Sequence, residues 1–185
     1  MKKIIPIGVL VVVIIGGLGL WQLTKMSTAK KLPAATTNRQ VLPITTNPIT
    51  NTSQKPGLVI TTAAVEDNAD PATKKAISDR LQISLQNTSS QTMSSLEIYY
   101  EMKDIKTGAI EKYYQKLDGL QIAQGETKTV YFDNESGTGH YPENKYSLYR
   151  SSQNEVDFTI EVSAQGYKPT TSTAKKSVGT GETAG

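Results

Sequence analysis

The sequence predicts an all-β protein, a two-sheet sandwich of about seven to eight strands carried behind an apolar N-terminal helix. Three observations predict it. Hydrophobic residues recur with a period of two between residues 57 and 169, turn residues interrupt that pattern at short intervals, and an uncharged run of twenty residues, Ile4–Leu23, stands ahead of everything else. No segment after that run repeats apolar residues at helical spacing, apart from a possible turn over Pro71–Asp79.

The N-terminal run comes first. Ile4–Leu23 is flanked by Lys2 and Lys3 on one side and by Lys25, Lys30 and Lys31 on the other. About 20 residues rising 1.5 Å each cross a hydrocarbon layer of ~30 Å, and only a helix satisfies its backbone groups there. Trp21 falls at headgroup level, and Pro6 sits in the first turn, where proline costs least. A cleaved secretory signal shares the opening lysines and the apolar run, but this run is long for one and its exit lacks a clear small-residue cleavage site. Residues 1–24 are therefore expected to be an uncleaved signal-anchor, held in membrane lipid through Ile4–Leu23. The flanking charges nearly balance, and the domain that follows sets the orientation: N-terminus cytoplasmic, remainder extracytoplasmic.

Residues 25–56 are rich in Thr, Pro and Asn, with apolar residues at neither helical nor strand spacing. Such composition buries too little surface to offset ordering entropy, so a disordered stalk is expected. The Thr/Gly/Ser/Lys-rich end, 170–185, is expected to be a disordered tail. Asn51, Asn87 and Asn134 each begin an Asn-x-Ser/Thr glycosylation sequon, a pattern that chance readily produces in a Thr/Ser-rich chain.

Between these tracts lies the domain, 57–169. Leu81, Ile83 and Leu85 alternate with polar residues, as do Leu96, Ile98, Tyr100 and Met102, then Val130 and Phe132, then Val156, Phe158, Ile160 and Val162. One face of each strand is dry and the other wet. Less regular strands are expected at Leu58–Val65, Ile110–Leu117, Leu120–Ala123 and Tyr146–Arg150. Turn chemistry at Asn87–Ser90, Lys106–Gly108, Asp118-Gly119, Gln124-Gly125 and Asn134–Gly137 separates them.

Within residues 81–132 the run L-x-I-x-L-Q-N-T-S-S-x-T-M-x-S-L-x-I-x-Y-x-M-x-D, a Thr-Gly turn, and L-x-I-A-x-G-E-T-x-x-V-x-F resemble the immunoglobulin-like FxLYD and cell-adhesion-related (CARDB-like) sandwich modules of prokaryotic surface proteins. Ile98-Tyr-Tyr-Glu-Met stands where the eponymous tetrapeptide would be, and Asn134–Arg150 reads as an insertion. The resemblance implies an immunoglobulin-like sandwich acting as an accessory or adhesive module, and it brings no catalytic residues.

Composition excludes several functions. The chain has a formal net charge of +3, but residues 1–56 contribute +7, residues 57–170 contribute −5 and the remainder +1. The domain is acidic and would repel a phosphate backbone, so no nucleic-acid partner is expected. There is no cysteine and one histidine, which excludes disulfides, thiolate sites and multi-histidine zinc sites. His140 sits in Gly137-Thr-Gly-His-Tyr-Pro, which reads as a solvent loop. Glu66, Asp67, Asn68, Asp70 and Asp79 could offer oxygen to calcium but lack the spacing of a calcium loop. Glu97 and Glu101 share the wet face of one strand. No phosphate loop, dinucleotide fingerprint or nucleophile elbow occurs, so no enzyme activity, cofactor, catalytic residue or metal site is expected.

Nine tyrosines remain, with Tyr141, Tyr146 and Tyr149 close together in the insertion. Large amphipathic rings suit recognition surfaces, and these three are the candidate binding residues for a protein or glycan partner. The expected function is a membrane-anchored extracytoplasmic interaction module without catalytic activity. The alternative is an envelope-assembly or secretion/pilus accessory subunit whose anchor packs in a membrane complex.

Overall fold

Alternating side chains give each strand one face that must leave water, and two such faces can do so only against each other. In the computed structural model, which describes residues 41–66, 72–73 and 80–179, eight strands form two four-stranded sheets. The first has the order β1 (Leu58–Glu66), β2 (Arg80–Asn87), β5 (Thr127–Phe132), β6 (His140–Tyr141). The second has the order β4 (Ile110–Lys116), β3 (Leu96–Asp104), β7 (Val156–Ala164), β8 (Thr170–Lys176). Neighbours run antiparallel except β5 and β6, which share a two-residue parallel pairing of Tyr131 with His140 and Phe132 with Tyr141.

The register expected from the period of two is the one observed. Leu81, Ile83 and Leu85, Ile98, Tyr100 and Met102, Val130 and Phe132, and Val156, Phe158, Ile160 and Val162 are all buried in one core shared by both sheets. Each such side chain contributes roughly 1.5–3 kcal/mol on leaving water. Four aromatic rings run through this layer in contact: Tyr113 stacks on Tyr100 at 5.3 Å, Tyr100 meets Phe132 edge-on at 5.7 Å, and Phe132 lies 5.9 Å from Tyr141.

Asn87, fully buried at the end of β2, is the corner of the first sheet-to-sheet crossing. Its amide nitrogen donates to the carbonyls of Gln91 (2.7 Å) and Ile122 (2.8 Å), and its side-chain oxygen accepts from the backbone N–H (2.9 Å) and hydroxyl (2.7 Å) of Ser89. One asparagine thus satisfies two loops that would otherwise bury unpaired carbonyls. Gly125, at φ +72, makes the companion turn and donates its N–H to the Asn87 carbonyl at 2.9 Å. With its amide used in this way, the Asn87 sequon is not available for glycosylation in the folded protein.

Four expectations need correction. Residues 41–56, assigned by composition to a disordered stalk, are ordered and strap the second sheet. Ile44 N–H donates to the Lys112 carbonyl of β4 at 2.8 Å, and the Asn47 amide donates to Glu161 of β7 at 2.7 Å. The Asn51 amide nitrogen lies 2.7–3.0 Å from the Ser163 hydroxyl and the carbonyls of Ala164 and Tyr167. The Lys55 carbonyl then accepts from Lys168 N–H at 2.7 Å. These partners carry the segment from the β4 edge across the outer face to the β7–β8 turn, where Gly57 turns it into β1. The Gly57 φ is +150, and a Cβ there would lie 2.9 Å from the Tyr167 ring, so only glycine fits.

The expected tail contributes β8 over Thr170–Lys176, so the disordered-tail reading of 170–185 fails for those residues; its inward positions are Ser172, Ala174 and Lys176, which hide the period. Tyr146–Arg150 is not a strand but leads into a single helical turn, α1 (Leu148–Ser151). Leu120–Ala123 forms only one bridge, Ile122 with Met93, because turns at Gly119 and Gly125 flank it closely. The apolar run Ile4–Leu23 lies outside the described residues, as do 25–40 of the expected stalk and most of Pro71–Asp79. Among the described residues no helix is long and apolar enough to cross a membrane.

The register makes a direct prediction. Phe158 is 1% exposed and neighbouring Thr159 faces solvent. Phe158→Ala should lower unfolding free energy by about 3–5 kcal/mol in urea titrations, and Thr159→Ala by well under 1 kcal/mol. Equal losses would place the strand one residue out of register.

Candidate functional site

The insertion after β5 is the segment on which recognition was expected, and its own chemistry docks it instead. Pro142 accepts from the Gln115 amide at 2.8 Å, and Asn134 accepts from Glu143 N–H at 3.0 Å. Glu111 of β4 accepts from both the Tyr113 hydroxyl (2.6 Å) and Leu148 N–H (3.0 Å), while the Asn144 amide donates to Tyr113 (3.1 Å). Glu143 and Arg150 form a buried ion pair. Burial, together with the Glu111 carboxylate, pushes the Tyr113 hydroxyl well above the ordinary tyrosine range.

Of the three candidate tyrosines, only one is on the surface. Tyr141 and Tyr149 belong to the core, Tyr149 packing edge-on to Phe158 at 6.1 Å, and burial raises the Tyr141 hydroxyl. Tyr146 is 72% exposed. The three do not form one patch, so the reading of them as a joint binding surface is corrected to two structural rings and one exposed ring. Sequence cannot separate these roles, because tyrosine suits a core and a surface equally.

A second cluster tightens the end of the molecule where β3 turns into β4. Asp104 accepts from Lys106 and Thr107 N–H groups at 2.9 and 2.8 Å, and from the Ser152 hydroxyl and Asn154 amide. Those donors, Ser152 and Asn154 foremost, hold its carboxyl well below the usual carboxylate range. Lys176 is buried beside this turn, its ammonium donating to the carbonyls of Ser152 (2.8 Å) and Asn154 (3.1 Å). Both charges serve as clamps on loops.

Among the described residues, two surface features are open to solvent. An open groove of about 640 Å³ lies between the strap, the β2–β3 loop, the turn after β4 and the β7–β8 turn. Its walls are polar: Asn51, Ser94, Ser95, Asp118, Gln121 and Gln165 contribute, and Ser95 takes a left-handed φ of +51. It is not legible in the sequence, because it depends on a strap that lacks strand or helix periodicity.

The second feature gathers Asp133, Glu135 and His140. His140 Nδ1 lies 2.9 Å from Asp133 Oδ2 and 3.8 Å from Glu135 Oε2, and the donor atoms of the three residues fall within 4.8 Å of one another. The His140 ring stacks on Tyr131 at 5.2 Å. Read as sequence, His140 sat in a solvent loop; the signal that could have found the cluster was two carboxylates at 133 and 135 followed by a histidine five residues later. The acidic candidates Asp67, Asn68, Asp70 and Asp79 lie outside the described residues. Glu97 and Glu101 do face outward as expected, accepting from Tyr114 at 2.8 Å and pairing with Lys112 at 3.4 Å; burial and the Glu97 bond push Tyr114 up to about 12.

No protein-family model matches the chain, and no curated protein matches it. Among solved structures it is similar to the ApaA protein from Bordetella pertussis, with 16% identity over 69% of this chain and 97% of that one, at a TM-score of 0.37. A likeness this slight carries no argument about either molecule.

Replacing each tyrosine separates the roles that sequence left joined. Tyr149→Ser should destabilise the protein by about 3–5 kcal/mol, the range for emptying a large aromatic site, whereas Tyr146→Ser should change stability by no more than about 0.5 kcal/mol. Thermal and urea unfolding of the two variants measures both, and a neutral Tyr149→Ser would return that ring to the surface.

Proposed function

We propose that the chain is a single-pass, membrane-anchored interaction module without catalytic activity, displaying an immunoglobulin-like sandwich outside the cytoplasm. The observation that carries this reading is the uncharged run Ile4–Leu23, followed after only seventeen residues, 24–40, by a segment already strapped to a sandwich. At roughly 3.4 Å per residue the covalent chain holds the domain within about 60 Å of the end of that run. Such a span is suited to presenting a surface close to a membrane.

The strand order supports the immunoglobulin-like assignment. β1-β2-β5 against β4-β3-β7-β8 follows the pairing of A-B-E with C′-C-F-G seen in this class, with β6 added parallel to β5 at the edge where strand D would lie. The resemblance of residues 81–132 to FxLYD and CARDB-like modules fits the same proposal, since the corner residues that carry it, Asn87 and Gly125, both work as corners. The polar groove beside the strap is the surface we assign to the partner, a protein segment or glycan able to meet its amides, hydroxyls and carboxylates. Tyr146 lies elsewhere, on the docked insertion.

Protease protection tests the proposal. In cells or spheroplasts whose inner membrane is intact, added protease should destroy the sandwich epitope and leave a membrane fragment containing Ile4–Leu23. Val12→Arg with Ile14→Arg should release the chain from the membrane fraction, because each arginine costs about 2.5–3.5 kcal/mol at the centre of a span. Full protection would reverse the orientation, and unchanged membrane association of the double variant would refute the anchor.

A further inference from the structure

We propose that the end of the sandwich where β3 turns into β4 rests on an anionic phospholipid surface, that of the bilayer holding Ile4–Leu23, an orientation that deepens the anchored reading above and depends on it. The route of the strap sets this orientation. Ile44 N–H donates to the Lys112 carbonyl at the edge of β4, and the strap then advances to Glu161 through Asn47 and to Ser163 through Asn51. In the register of the sheet Lys112 lies opposite Glu101, Glu161 opposite Tyr99 and Ser163 opposite Glu97. The strap therefore climbs away from the β3–β4 turn, and its contact at Lys112 is two residues, about 7 Å, from the last outward row, Lys103 with Ile110. The seventeen residues 24–40 that follow the apolar run lead to this end of the domain.

The same end leaves apolar side chains in water. Ile105 and Ile110, on either side of the turn, are 47% and 50% exposed, and Val178, where the chain runs on past β8, is 75% exposed. Leu42, 64% exposed, lies two residues ahead of the Ile44 bond. These are four of the six large hydrophobic side chains exposed among the described residues. The backbone that carries the first three is held in place. Gly108 N–H donates to the Asp104 carbonyl at 2.8 Å, Ile105 N–H to Glu155 at 3.0 Å and Gly179 N–H to Gln153 at 3.3 Å. Isoleucines turned outward on a fixed hairpin gain nothing from the core and gain from the acyl boundary of a bilayer.

Charge at this end complements anionic headgroups, although residues 57–170 sum to −5. The acids here are engaged: Asp104 within its loop, Glu101 with Lys112 at 3.4 Å, and Glu155 and Asp157 with Lys175 at 2.7 and 3.5 Å. Lys103 and Lys106 are exposed, and neither ammonium has a carboxylate partner among the described residues. Their flexible stems can place both ammonium groups among phosphates while the isoleucines enter below. Residues 24–40 add Lys25, Lys30, Lys31 and Arg39 and no acid, so nothing in them opposes that surface. A second copy docked on this patch about a two-fold axis would instead set these lysines against their equivalents. The polar groove lies at the other end, among Ser94, Ser95, Asp118 and Gln165, and the nine residues of β3, about 30 Å, separate it from the turn. Docked in this way, the groove points away from the membrane.

The absence of native cysteine allows a direct test. The full-length chain carries the fluorophore NBD at Thr107→Cys, in the turn, or at Gln165→Cys, at the other end. Each is reconstituted into phosphatidylcholine–phosphatidylglycerol vesicles with and without nitroxide-labelled lipid. Emission from position 107 should shift to the blue and be quenched by the nitroxide lipid, and emission from position 165 should do neither. Ile105→Ser with Ile110→Ser should abolish the quenching, and Lys103→Gln with Lys106→Gln should lower the docked-to-free ratio by about thirtyfold, the attraction of two lysines to an anionic surface. Unfolding midpoints should match the parent, because every substituted side chain is exposed. No quenching at 107, equal quenching at 107 and 165, or quenching indifferent to all four substitutions would overturn the docking. A label at 107 shielded from aqueous iodide yet untouched by nitroxide lipid would put protein on the patch and overturn it as well. Flotation of the vesicles reports the anchor separately: a chain that floats with position 107 unquenched loses the docking alone, and a chain that does not float loses both.

Discussion

With no cysteine in the chain, nothing covalent joins the two sheets, and the apolar layer between them has to hold the molecule together. That layer consists of the inward residues of β2, β3, β5 and β7 and of the aromatic sequence Tyr113, Tyr100, Phe132, Tyr141. Net stabilities of domains are about 5–15 kcal/mol, so a single ring such as Phe158 represents a large share of the margin. Every polar group drawn in beside the layer has to be satisfied locally. Asn87, Asp104 and the Glu143–Arg150 pair each meet this requirement by tying a loop to the body, which is why the loops of this sandwich are ordered.

The strap follows from the same need. The outer face of the second sheet carries Tyr99, Tyr114, Glu97, Glu101 and Glu161, a surface with aromatic bodies and polar tips. Residues 41–56 lie over it and bond to it mainly through asparagine side chains and backbone groups. Asn47 and Asn51 each do two things: their oxygens accept from the N–H two residues ahead, at 3.0 Å in both cases, and their amides reach β7. Lys55 completes the attachment, its ammonium lying 4.4 Å from the centre of the Tyr167 ring. The polar groove exists because the strap, through Thr50 and Asn51, forms one of its walls.

The core was legible in the sequence because a period of two leaves little freedom: a slip of one residue in β3 or β7 would expose Tyr100 or Phe158 and bury charge. The corner at Asn87 was legible for a similar reason, since a buried strand end followed by Thr-Ser-Ser calls for an asparagine turn. The strap was not legible, because extended chain held by side-chain amides has no periodicity, and a Thr/Pro/Asn composition looks the same in solution as on a sheet. β8 was hidden by its inward Ser172, Ala174 and Lys176, an edge strand whose burial depends on its neighbour and not on its own hydrophobicity. The tyrosines of the insertion misled because residue type alone does not say which ring turns inward. The acid–histidine cluster escaped notice because its geometry arises from a left-handed residue at 134 and a parallel pairing of β5 with β6.

What separates this account from a sandwich on a loose stalk is whether residues 41–56 belong to the fold. Native-state hydrogen exchange reads this directly, since the N–H groups of Ile44, Ser53 and Lys168 are each bonded across or within the strap. The account predicts that all three exchange far more slowly than free peptide, with Lys168 slowed through its bond to the Lys55 carbonyl. Exchange at unprotected rates for Ile44 and Ser53, with β3 and β7 still protected, would contradict it and return these residues to the stalk.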